Sequence, residues 1–159
     1  MATIYVLDDT FKLKNFFIIS NNEQKTPNFL IQNKSSWSNL DLRKLTTFCQ
    51  GRDVVYTKDE IKLPIHYHNG EEKRLILYGT CTFFIPINQH VHIIECATGD
   101  LISINDKLPH WFETDGELLL CRFFGKNDLH TSITDDINQK YLKTYDNLNN
   151  SSWKEQLDL

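Results

Sequence analysis

Between Val54 and Phe124 the chain is cut into eight short runs rich in β-branched and aromatic residues, with no helical pattern between them. The runs are 54–56, 61–63, 74–78, 80–85, 91–95, 101–104, 111–114 and 118–124. Turn-forming residues separate most of them: Asn69-Gly70, Pro86-Ile87-Asn88, Gly99-Asp100, Asn105-Asp106 and Asp115-Gly116. Many short strands at close spacing specify a β-sandwich or barrel. Residues 2–7 and 16–19 read as two further strands. The polar stretch 20–36, with Asn21-Asn22 and Pro27, reads as loop. A short helix is expected from a Ser38 cap to about Cys49, ended by Gly51. The tail from 132 to 150 reads as one or two helices packed outside the sheets.

A chain of 159 residues without repeats or a clear linker suits one domain. The expectation is a single domain over 1–159, with a barrel at about 54–125, a helical or irregular N-terminal segment and a C-terminal tail. The net charge of -4 argues against nucleic acid or an anionic membrane as main partner. No apolar run approaches the ~20 residues of a membrane helix, and the first residues lack a signal-peptide pattern. A cytoplasmic protein is expected, so the glycosylation patterns at Asn33 and Asn150 carry no weight. Cys81, Cys96 and Cys121 lie in apolar runs and read as buried thiols. Cys49 completes the four cysteines, none of them in a C-x-x-C pair.

The chemistry concentrates in His66-Tyr67-His68-Asn69-Gly70-Glu71-Glu72. Side chains alternate along a strand, so His66 and His68 share a face. Asn69-Gly70 can reverse the chain, which brings Glu72 back toward the same point. His110, after the Pro109 turn, is the natural ligand from a distant strand. Three imidazoles and a carboxylate suit iron, nickel, cobalt or zinc. An octahedral ion would keep two positions open for a substrate; the alternative is a closed tetrahedral zinc site. A second pair, His90 and His92, alternates with Val91 and Ile93. It reads as the solvent face of an amphipathic strand. His130 is assigned no role.

The pattern His66-x-His68-x-x-x-Glu72, then Gly79, then Gly99-Asp100-Leu101-Ile102, then His110, resembles the two-part motif of the cupins, with detailed matches at His66-x-His68-x-x-Glu71-Glu72-x-Arg74, Glu95-Cys96-x-x-x-Asp100-Leu101-Ile102-Ser103 and Pro109-His110-Trp111-Phe112. Within them it is similar to the acireductone dioxygenase family. Cys121-Arg122-Phe123-Phe124 and Thr134-Asp135-Asp136-Ile137 add to the resemblance, which covers about residues 64–141. The chain departs from the family pattern at Tyr78-Gly79-Thr80-Cys81, at 105–109 and in the short segment before His66.

The resemblance implies a mainly β fold: a cupin double-stranded β-helix, or jelly roll, with a few peripheral helices. It implies that His66, His68, Glu72 and His110 hold one Fe(2+) or Ni(2+) per chain. It implies oxidative cleavage of an acireductone by O2, to formate and a 2-oxo acid with iron, as in methionine salvage. With nickel the products would be formate, carbon monoxide and a shorter acid. Arg74 and Arg122 would face the anionic substrate, Phe112 would line the cavity, and Glu71 would be a candidate base. The expected partners are a small-molecule substrate and O2, and the expected state a monomer or small homo-oligomer. Two alternatives are another cupin dioxygenase or isomerase acting on a different enediol or oxo acid, and a non-enzymatic small-ligand-binding cupin.

Overall fold

Apolar residues at every second position build two antiparallel six-stranded sheets whose inner faces form one core. The computed structural model describes residues 2–19, 23–25, 28–32, 54–124 and 132–157. In chain order the strands are β1 Ala2–Leu7, β2 Leu13–Ile19, β3 Glu23–Lys25, β4 Phe29–Gln32, β5 Val54–Thr57 and β6 Ile61–His66. They continue as β7 Glu72–Tyr78, β8 Thr80–Ile87, β9 His90–Ala97, β10 Leu101–Ile104, β11 His110–Thr114 and β12 Leu118–Phe124. One sheet runs β2-β1-β9-β8-β11-β6 and the other β3-β4-β10-β7-β12-β5. Consecutive strands of the barrel repeatedly switch sheets, which is the jelly-roll arrangement of a cupin.

The eight runs expected between Val54 and Phe124 are all strands, most of them longer by one to three residues. The N-terminal segment is more regular than its composition suggests. β1 and β2 join the first sheet, and β3 and β4 join the second within the stretch read as loop. Phe29–Gln32 is a strand because β10 supplies its partner, pairing Ile104 with Phe29 and Ile102 with Ile31. The expected helix at 38–49, Cys49 and His130 lie outside the described residues.

The registers stack the interior side chains in three layers. The deepest is apolar: Ile76 opposite Leu120, Cys81 opposite Cys96, and Ala2 opposite Ile19. Cys81, Cys96 and Cys121 are buried, as expected. The middle layer pairs Arg74 with Ile102 and Arg122 on one sheet, and sets Phe112, Phe83, Ile94 and Ile4 in a row on the other. The third layer, toward one end of the barrel, carries the polar cluster described below.

The other face of the first sheet is also covered. The helix α1, Gln139–Asn149, is capped by Asn138, whose side chain accepts from the Lys140 amide at 3.0 Å. Its Tyr145 meets Trp111 edge-on at 5.0 Å. Trp153, in a 3-10 turn over Trp153–Leu157, stands edge-on to Phe84 at 5.7 Å. Gln156 then bonds the Leu13 amide (2.7 Å) and the Phe11 carbonyl (2.6 Å), tying the C-terminal segment to the first hairpin. Strands β8, β9 and β11 are therefore buried on both faces.

Gly79 permits the tight β7–β8 connection. Its φ is +93°, and a Cβ there would lie 2.2 Å from the Glu117 carbonyl oxygen.

Candidate metal centre

His110 sits directly opposite His66 in the β11–β6 ladder, and a bulge follows between His110 and Phe112. His66 ends β6 facing inward, because its neighbour Ile65 packs outward with Trp111. His68 follows two residues later on the same side. The three rings lie with centroids 4.5 Å (66–110), 5.0 Å (66–68) and 5.7 Å (68–110) apart. One nitrogen of each comes within 4.8 Å of the others.

Hydrogen bonds set which nitrogen faces inward. His66 Nδ1 is 2.8 Å from the Pro64 carbonyl, and His110 Nδ1 is 2.8 Å from the Leu108 carbonyl. A carbonyl oxygen only accepts, so each Nδ1 carries the proton and each Nε2 presents a lone pair. Those two Nε2 atoms are buried without a hydrogen-bond partner among the described residues. Burial lowers the pKa of both imidazoles, that of His110 to about 3. Both rings are therefore neutral at pH 7, the form that binds a cation.

Glu72 begins β7 from the facing sheet and is 1% exposed. Its Oε2 is 2.6 Å from His68 Nε2, and its Oε1 is 3.8 Å from His110 Nε2. Burial alone would raise the Glu72 pKa. The Arg74 guanidinium, helped by His68 and His110, overrides this and holds the carboxyl well below the usual carboxylate range. The buried lone pairs of His66 and His110, with the His68 imidazole held against an ionised carboxylate, form a donor set that suits a borderline divalent ion. At metal–nitrogen distances of about 2.1 Å, ligand atoms lie up to about 4.2 Å apart, so small side-chain adjustments bring the three nitrogens onto one ion.

Arg74 lies directly below. Its Nε is 2.5 Å from Glu72 Oε1, and its guanidinium carbon is 5.4 Å from the ring centres of both Phe83 and Phe112. Arg122 pairs with Arg74 across the β12–β7 ladder, so it shares that inward face. Phe112 is buried in the same layer. Glu71 does not join the cluster, which corrects the expectation that it serves as a base. It precedes Glu72 by one residue, so alternation turns it outward. There its side chain is 53% exposed, 3.9 Å from Lys73.

His90 and His92 also depart from expectation. They face the barrel interior, since His92 pairs with the core residue Ile85 and meets Phe29 edge-on at 5.7 Å. The apolar Val91 and Ile93 that suggested a core face point outward instead, beneath the C-terminal helix. Motif reading also missed Asp106. Its Oδ1 accepts from the Gly70 amide at 2.6 Å, while the Lys107 amide donates to the His68 carbonyl at 3.0 Å. These two bonds join the loop carrying His68 to the loop carrying His110. Only the turn pair Asn105-Asp106 hinted at them.

A family model described as the ARD/ARD′ family matches residues 53–132, which include all four candidate ligands. The chain belongs to the ARD/ARD′ family. The acireductone dioxygenase of Aquifex aeolicus is 39% identical over 59 residues, 35% of this chain and 32% of that protein. Acireductone dioxygenase 1 of Pectobacterium atrosepticum is 38% identical over 48 residues, 30% of this chain and 28% of its own. The matched part thus spans about a third of the length of these relatives. Among solved structures, the acireductone dioxygenase from Bacillus anthracis with a cadmium ion in its active centre superposes with TM-score 0.47. It is 18% identical and covers 67% of this chain and 83% of that one. An S161A mutant of Bacillus subtilis oxalate decarboxylase gives 0.44 at 14% identity, covering 77% and 33%.

Proposed function

We propose that this member of the ARD/ARD′ family is a metal-dependent dioxygenase that cleaves an acireductone with O2. The observation that carries the reading is the convergence of His66, His68 and His110 inside the barrel, with Glu72 beside His68 and His110. His66, His68, Glu72 and His110 would hold one Fe(2+) or Ni(2+). When bound, that ion supplies Lewis acidity and open positions for a chelating substrate.

The chain's own residues have separable tasks. The Pro64 and Leu108 carbonyls hold two imidazoles in the ligand tautomer. Arg74 orients Glu72 and lends positive charge to the floor of the site, and Arg122 adds to that charge. Both favour an anionic enediolate, for which fixed guanidinium donors are suited. Phe112 and Phe83 exclude water around Arg74. In the iron reaction the bond between C1 and C2 of the substrate breaks and each carbon gains one oxygen atom. Formate and a 2-oxo acid result, and O2 takes the four electrons the two carbons lose.

The proposal extends to a single catalytic domain in the cytoplasm, monomeric or a small homo-oligomer, serving methionine salvage. Among the described residues no helix is long and apolar enough to cross a membrane. The test is to load metal-depleted protein with iron or nickel, mix it with acireductone anaerobically, and add oxygen. Formate with either metal supports the reading. Stoichiometric metal without formate points instead to another enediol or oxo acid as substrate.

A further inference from the structure

The third interior layer continues past the metal centre. His66 pairs with His110, and the β11–β8 register, which sets Trp111 against Phe84, continues to place His110 beside Ile85. Ile85 pairs with His92, and His92 with Val6. On the facing sheet the same layer holds Glu72, then Ile104, then Phe29. Phe29 closes the layer by meeting His92. From His110 to His92 is two strand spacings, about 10 Å along the wall. The wall between them is apolar: Ile85 on one side, Ile104 and Phe29 on the other.

His92 breaks that pattern. Its Nδ1 is buried and has no hydrogen-bond partner among the described residues. An imidazole nitrogen withdrawn from water without a partner costs free energy, so its presence calls for a ligand or an ordered water to complete it. We propose that His92 is a specificity-determining residue, hydrogen-bonding a polar group on the tail of a substrate anchored at the His66–His68–Glu72–His110 end. The inference rests on the acireductone reading of that centre. It goes further by defining the substrate class: an enediol whose tail carries a hydroxyl or similar hydrogen-bonding atom, rather than a purely alkyl tail. Burial, with His90 nearby, holds the ring below its usual pKa, so at neutral pH it can donate from one nitrogen and accept at the other.

The test uses zinc-loaded protein under anaerobic conditions, so that binding is read without turnover. Two probes are titrated calorimetrically: an acireductone with a propyl tail, and the same compound with a terminal hydroxyl. Wild type should bind the hydroxylated probe about five- to tenfold tighter, the scale of one net hydrogen bond. His92→Leu should bind the propyl probe at least as well as wild type and lose the preference, while His92→Gln should retain part of it. In wild type, the His92 Nδ1 resonance in 15N-histidine spectra should move with the hydroxylated probe only, a readout that survives if a variant fails to fold. An equal preference in wild type and His92→Leu, or an unmoved resonance, overturns the role of His92 alone. Zinc binding without binding of either probe overturns the acireductone reading and the role of His92 with it.

Discussion

Arg74→Met isolates the balance of charges beneath the site. Arg74 and Glu72 are 4% and 1% exposed at their side chains and 2.5 Å apart. Methionine keeps the apolar bulk against Phe83 and Phe112 but leaves the Glu72 carboxylate buried without its guanidinium. Removing one partner of a buried ion pair costs about 3–5 kcal/mol. That is a large share of a total stability of about 5–15 kcal/mol. With a urea m-value of about 2 kcal/mol/M, the midpoint of metal-free protein should fall by roughly 2 M. The double variant Arg74→Met/Glu72→Gln should regain most of that loss, because no lone charge remains. Zinc should stabilise Arg74→Met more than wild type, since a divalent ion supplies the counter-charge the arginine no longer gives. Denaturation by urea, followed by tryptophan fluorescence with and without zinc, measures all of this. A loss below about 1 kcal/mol for Arg74→Met, or a double variant as unstable as the sum of the singles, would refute the reasoning.

Three further outcomes follow from the same structure. Gly79→Ala should destabilise by at least about 2 kcal/mol, lowering the melting temperature by several degrees, because its Cβ meets the Glu117 carbonyl at positive φ; an unchanged melting temperature contradicts this. Trp111→Ala should cost about 3–5 kcal/mol and loosen α1, seen as faster amide exchange at Tyr145 and Leu148, which pack in the same cluster. Metal-free protein should lose stability on acidification from about pH 6.5 toward 3. His66 and His110 have folded pKa values below those of the unfolded chain, so the unfolded state binds more protons in that window. Glu72, also lowered, adds to the loss below its usual range. A urea midpoint that stays flat or rises from pH 7 to 4 would oppose this.

Much of the site was legible because strand alternation is a strict rule. His66 and His68 share a face, Glu72 and Arg74 share a face, and Glu71 turns away, all from period two. What parity does not say is which face is inside. At β9 the apolar Val91 and Ile93 suggested a core side and a solvent side. Yet α1 and Trp153 bury the outer face of that sheet, leaving His90 and His92 to the interior. β4 was hidden for a related reason: four residues after Pro27 form a strand only because β10 offers an edge far along the chain. The carbonyls of Pro64 and Leu108, which fix two histidine tautomers, leave no trace in residue identity. Strand periodicity indicated only many short strands, and the jelly roll was legible through the motif resemblance, since the order in which strands pair depends on contacts between distant segments.

The proposed chemistry requires one ion held by residues 66, 68, 72 and 110. Anomalous diffraction from crystals of the nickel-loaded protein tests this directly. The expected map has a single strong peak per chain, about 2.1 Å from Nε2 of His66, His68 and His110, with a Glu72 oxygen also coordinated. A map with no peak among those side chains, or with its peak elsewhere on the protein, would contradict the metal centre and the oxygen chemistry built on it.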